Sequence, residues 1–127
     1  MTRLLIVAAG GALGAVARYG VGRLLPASGW PWPTLTVNVV GGLLMGLLAG
    51  WLAFRGGGQG ETIRLFAAVG LLGGFTTFSA FSLETALMIE KRQFALASGY
   101  VAASVVLSIA ALFLGLMIAR RAFGAAL

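Results

Sequence analysis

The chain is 127 residues long, 60% hydrophobic and 9% charged, with no cysteine, no histidine and a formal net charge of +6. Aspartate is absent too, leaving Glu61, Glu84 and Glu90 as the only carboxylates, which excludes disulfides, thiol nucleophiles, Ser-His-Asp triads and zinc sites built on His or Cys. Two of those glutamates lie near the ends of expected spans, and no enzyme is expected.

Mean hydropathy is +1.02, and uncharged runs cover Leu24 to Phe54, Leu65 to Leu83 and Gln93 to Ala119. A helix needs about 20 apolar residues to cross a hydrocarbon core of about 30 Å, so an all-α membrane protein is expected. Four transmembrane helices fit a single domain over 1–127, at about 4–25, 34–54, 63–89 and 94–120. The basic residues punctuate these spans instead of forming one face, which favours lipid headgroups and topology over nucleic acid as their partners.

The first helix follows Met1-Thr-Arg3 and runs through Arg18-Tyr19 to Leu25; its start is similar to a signal peptide but is read as retained. It carries Gly10 and Gly14 at four-residue spacing and one internal cation, Arg18, suited to an interface or a water-filled vestibule. Pro26, Pro31 and Pro33 mark the turn to the second helix. There, Thr34 and Asn38 lie one turn apart near the start, followed by Gly42, Gly46 and Gly50. Gly56-Gly-Gly-Gln-Gly60 marks the second turn and Glu90-Lys-Arg-Gln93 the third.

The third helix holds the anomaly. Gly70 and Gly74 continue the small-residue spacing, but the adjacent Gly73-Gly74 followed by Phe-Thr-Thr weakens the helix and frees carbonyls at mid-membrane. Beyond it, Phe78 and Phe81 share a helical face, with Thr76, Thr77, Ser79 and Ser82 among the rings. Aromatic rings carry a positive edge that can face an anion. Glu84 follows one turn later and can end the helix, bond across a dimer or influence permeation. On the fourth helix Tyr100, Ser104 and Ser108 form one line of hydroxyls, although serines in membrane helices often bond to their own i−4 carbonyl.

The positive-inside rule places Arg3, Arg55, Arg64, Arg120 and Arg121 on one side against Arg23, Lys91 and Arg92 on the other. Five against three is nearly balanced, so dual topology and an antiparallel homodimer are expected. Neutral hydroxyls, an amide, ring edges and one Arg make a lining suited to a small anion, since cation paths use carboxylates or carbonyl rings.

Three blocks carry a family resemblance: Gly11-Ala-Leu-Gly-Ala-Val-Ala-Arg-Tyr19, Trp30-Pro-Trp-Pro-Thr-Leu-Thr-Val-Asn-Val-Val-Gly-Gly42 and Gly70 to Phe81. With them the chain resembles the Fluc (CrcB) family of bacterial fluoride channels. The resemblance implies an antiparallel homodimer in the bacterial inner membrane with two fluoride pores, each lined by both subunits. It makes Phe78 and Phe81 similar to the pore phenylalanines, Asn38 to the pore asparagine, and Tyr100, Ser104 and Ser108 to the polar track. Thr34, Ser79 and Ser82 are grouped with the pore, and Arg18 with the vestibule. It also implies a structural Na+ held by the Gly73 and Thr76 carbonyls of each subunit, and passive export of cytoplasmic fluoride. Ala80, commonly Thr in the family, and Pro33, commonly Gly, depart from the pattern. Two other readings stand beside it: a small dual-topology multidrug-type exporter, which needs a carboxylate that helix 1 lacks, and a non-transporting membrane assembly subunit.

Overall fold

The computed structural model describes residues 1–25, 29–55 and 57–124. The expected turn residues Pro26 and Gly56 lie outside them. All regular structure among the described residues is helical. Helix α1 spans Thr2–Leu24 and α2 spans Trp32–Arg55. The third membrane helix is composite: a 3₁₀ turn Gly57–Gln59, α3 Gly60–Ile63, a π-helical stretch Arg64–Leu72, α4 Gly73–Phe75 and, after two extended residues, α5 Phe78–Glu90. Helix α6 spans Phe94–Ala119 and ends in a wide turn Arg120–Gly124.

The four segments Thr2–Leu24, Trp32–Arg55, Gly57–Glu90 and Phe94–Gly124 are each long and apolar enough to cross a membrane. Large apolar side chains such as Leu5, Val16, Val106 and Phe113 are more than half exposed. A soluble fold would bury them; facing hydrocarbon they need no further partner. The chain is a multi-pass membrane protein.

Local chemistry explains the turns. Trp32 N–H donates to Trp30 O at 2.8 Å around Pro31, and Pro33 falls in the first turn of α2, where its missing N–H has no helical partner to lose. The unusual proline therefore starts the helix without kinking it. At the same end of the molecule, where the third helix gives way to α6, Arg92 takes the left-handed conformation (φ 60°). Its N–H bonds Ile89 O at 3.0 Å while Gln93 N–H reaches Met88 O at 2.9 Å, the paired bonds of a helix end usually built on Gly.

Glycines set the helix pairing. A Cβ on Gly70 would meet Val7 O at 2.9 Å and Gly10 Cα at 3.0 Å, and one on Gly74 would meet Gly11 O at 2.5 Å, so α1 lies backbone to backbone against residues 60–75. Likewise a Cβ on Gly42 would meet Ser108 O at 2.7 Å, and Gly46 and Gly115 abut the backbones of α6 and α2. Without a hydrophobic force between helices in lipid, such close approach supplies the packing. The result is two glycine-seamed pairs, α1 with the third helix and α2 with α6. A small core of Leu35, Met88, Ala97 and Tyr100, flanked by Trp30 and Phe81, joins α2, α5 and α6.

Candidate functional site

The helical interruption falls at Thr76 and Thr77. Gly73 and Gly74, the expected weak point, remain helical in α4; Thr76 (ψ 158°) and Thr77 (φ −150°, ψ 119°) are extended. The shift has a physical reason. Thr76 closes the preceding arm, its N–H and Oγ1 both donating to Leu72 O at 3.0 and 2.9 Å. Thr77 opens the next as an N-cap, its Oγ1 accepting from Ala80 N–H at 3.1 Å. A threonine stabilises a helix start in this way, whereas Gly-Gly can stay in the helix.

Two side chains from other helices hold the interruption. Asn38 Nδ2 donates to Thr77 O at 3.0 Å, and Thr77 N–H donates to Asn38 Oδ1 at 2.9 Å. Arg18 Nε donates to Gly74 O at 3.1 Å. In an unbroken helix the Thr77 amide would serve Gly73 O and the Ala80 amide would serve Thr76 O. Both amides are diverted to side-chain oxygens, so the Gly73 and Thr76 carbonyls lose their helical donors.

Beside the interruption a groove of about 420 Å³ opens between α2, the third helix and α6. Asn38, Thr76, Thr77, Phe78, Phe81, Ser104 and Ser108 line it, with Gly41, Gly42, Met45, Leu72, Val105, Ile109 and Leu112 as apolar wall. Phe78 and Phe81 are tilted rings with centroids 5.6 Å apart. Phe78 is 78% exposed, so one wall of the groove is unfinished within the chain. Ser104 is buried, and its Oγ has no hydrogen-bond partner among the described residues. The i−4 bond that serines often make is therefore missing there, and a polar group left this way has unused capacity for a ligand or water.

Other expected site residues are placed elsewhere. Tyr100 is wholly buried; its ring lies 5.2 Å from Phe81 and 5.6 Å from Trp30, and its hydroxyl donates to Glu84 Oε1 at 3.1 Å. Glu84 sits inside α5, six residues before its end, so it does not stop the helix. Ser79 and Ser82 are exposed and outside the groove, with Ser79 Oγ 3.1 Å from Thr77 Oγ1. Thr34 is buried and lines a separate cavity of about 540 Å³, together with Arg18, Arg23, Thr77 and Ala80. Thr77 lines both cavities.

Sequence reasoning passed over the backbone of Thr77 and the Gly74 carbonyl as organising groups. The available signal was a cap pattern: Thr77 directly precedes a helical stretch whose third residue, Ala80, needs an acceptor for its N–H, and no Glu or Gln is present there to form a reciprocal box.

The chain is similar to known proteins over almost its whole length. The family model described as "CrcB-like protein, Camphor Resistance (CrcB)" matches residues 5–116. A protein of Caulobacter sp. (strain K31) named "Fluoride-specific ion channel FluC" is 66% identical over 127 residues, covering 97% of this chain and 98% of its own. Proteins of the same name from Phenylobacterium zucineum (strain HLK1) and Paracoccus denitrificans (strain Pd 1222) are 59% and 54% identical, covering 97% and 92% of this chain and 99% and 94% of their own. These names describe ion channels, a non-enzymatic function. The family match takes in α1, α2, the interrupted third helix and most of α6, and the relatives run at more than half identity over almost their whole length: the chain belongs to the CrcB family.

Proposed function

We propose that this chain is a fluoride channel working as an antiparallel homodimer in the bacterial inner membrane, with two pores and a structural Na+. The observation that carries the reading is the groove beside the interruption, lined by an amide, an unpartnered hydroxyl and two phenyl rings. Relatives of near-equal length that are named fluoride channels supply the identity of the anion.

Fluoride is small and strongly hydrated, so a path must replace its water with close donors without binding too tightly for exit. Asn38 Nδ2 uses one of its two N–H groups on Thr77 and keeps the other. The Ser104 hydroxyl has no competing bond, and Ser108 follows one turn along the same wall. The rings of Phe78 and Phe81 offer positive edges. The cations Arg18 and Arg23 beside the second cavity draw anions toward Thr77. Exposed Phe78 requires a second wall, which a second copy of the chain provides; the near-balance of basic residues allows that copy to be inverted. Fluoride then leaves the cytoplasm passively, down its own gradient.

The residues at the interruption fit a cation. Gly73 and Thr76 present carbonyls without helical donors, and two chains would offer four hard oxygen ligands of the kind Na+ takes. Its contribution is structural, satisfying backbone groups that lipid cannot.

Fluoride efflux from liposomes holding the purified protein, followed with a fluoride electrode, tests the reading; efflux no faster than from empty vesicles would reject it. The exporter alternative is disfavoured because α1 carries no carboxylate.

A further inference from the structure

Four carbonyls at the interruption lose the donor a continuous helix would supply: Gly73 and Thr76, whose amide partners are diverted, Phe75 at the end of the arm, and Gly74, which accepts from Arg18 Nε at 3.1 Å instead. Gly73 and Gly74 are consecutive helical residues, so their C=O groups point toward the same helix end and carry its partial negative charge. Left alone, both would be offered to anything positive placed there.

Backbone packing explains why Arg18 reaches only one of them. A Cβ on Gly14 would meet Phe75 N at 2.8 Å and would overlap Leu71 O, so α1 runs alongside residues 60–75 and in the same direction. Arg18 lies one turn beyond that contact, past the end of the arm. Helical side chains lean toward their own N-terminus, which brings the guanidinium back onto the Gly74 carbonyl. A cation inside a membrane span needs such a partner, and the planar guanidinium is directional where an ammonium is not.

We propose that Arg18 is a specificity-determining residue for the cation at the interruption: by occupying Gly74 O it removes one carbonyl from those each chain can offer, leaving Gly73 and Thr76 to hold the ion, and so favours Na+ over the larger K+. The inference rests on the structural Na+ given above. Selectivity between alkali cations follows the number of coordinating carbonyls as well as their spacing, and a third carbonyl per chain would suit the larger ion.

The test is cation-dependent thermal unfolding of the purified protein in detergent, with NaCl or KCl titrated at constant ionic strength against N-methylglucamine chloride. The wild type should reach half-maximal stabilisation at lower Na+ than K+. In Arg18→Met that preference should narrow about tenfold, a change of about 1.4 kcal/mol in relative binding, because Gly74 O is released. Arg18→Gln is neutral but still able to donate to Gly74 O, and should keep the wild-type preference; it also carries the test if Arg18→Met does not assemble. An unchanged preference in Arg18→Met, or a lost one in Arg18→Gln, overturns the role of Arg18. A wild type indifferent to cation identity overturns the Na+ reading itself.

Discussion

Asn38 and Thr77 exchange two hydrogen bonds, the amide nitrogen donating to the Thr77 carbonyl at 3.0 Å and the Thr77 N–H donating to Asn38 Oδ1 at 2.9 Å. This is the donor and acceptor pattern of a β ladder, with a side-chain amide standing in for the second strand. An extended residue inside a membrane helix thus has both backbone groups satisfied without water.

Asn38→Ala should leave the Thr77 N–H unpaired, while Thr77 O, the N-cap carbonyl of α5, keeps its intrahelical donor; one part-buried amide left this way costs about 1 to 3 kcal/mol, less any water that reaches it. Fluoride flux should fall with it, since the same amide faces the groove. Thermal unfolding read beside flux checks the pairing; a variant of wild-type stability would show that the clamp contributes little.

Ser104→Ala predicts opposite signs in two measurements. The Ser104 hydroxyl has no partner to lose, so the variant should be as stable as the parent or more so, yet it should conduct fluoride more slowly. Reduced stability together with normal flux would place the hydroxyl in the fold instead of the path.

Phe78→Ile keeps apolar bulk and removes the ring edge. With 78% of Phe78 exposed, the fold of a single chain should hardly register the change, whereas flux should collapse. Phe81→Ile should lose flux and also some stability, because Phe81 packs on Tyr100 at 5.2 Å and such aromatic pairs contribute about 0.5 to 1.5 kcal/mol. Flux at the wild-type level in both would return the rings to ordinary packing.

Gly46→Ala places a methyl group against the backbone of α6 at Leu112. Overpacking of this kind costs about 1 to 3 kcal/mol, and here it should separate α2 from α6 and lower the unfolding temperature. Gly58→Ala, in open space, is the control and should be close to neutral.

The membrane architecture was legible because it depends on the length of apolar runs, which a sequence displays directly. The convergence of Asn38, Phe78, Phe81, Ser104 and Ser108 on one groove followed from helical spacing and from family blocks. The exact place of the interruption did not. It is settled by Asn38 and Arg18, 39 and 56 residues away from the groups they hold, and local propensity points instead to the glycine pair. The same limit applies to Tyr100, which shares a helical face with Ser104 and Ser108 but whose hydroxyl is taken by Glu84 on a different helix. Spacing assigns a residue to a face; it does not say which partner reaches it first.

The glycine seams have a consequence for how this chain tolerates change. Positions such as Gly14, Gly46 and Gly70 line neither the groove nor the second cavity, yet the smallest possible addition, one methyl group, strikes backbone that cannot swing aside. Lipid-facing leucines and valines, by contrast, can exchange among themselves while keeping hydropathy. Genetic sensitivity should therefore trace two lines along the helix axes, remote from the conducting surface, and a map of damaging substitutions would outline the assembly seams as sharply as the ion path.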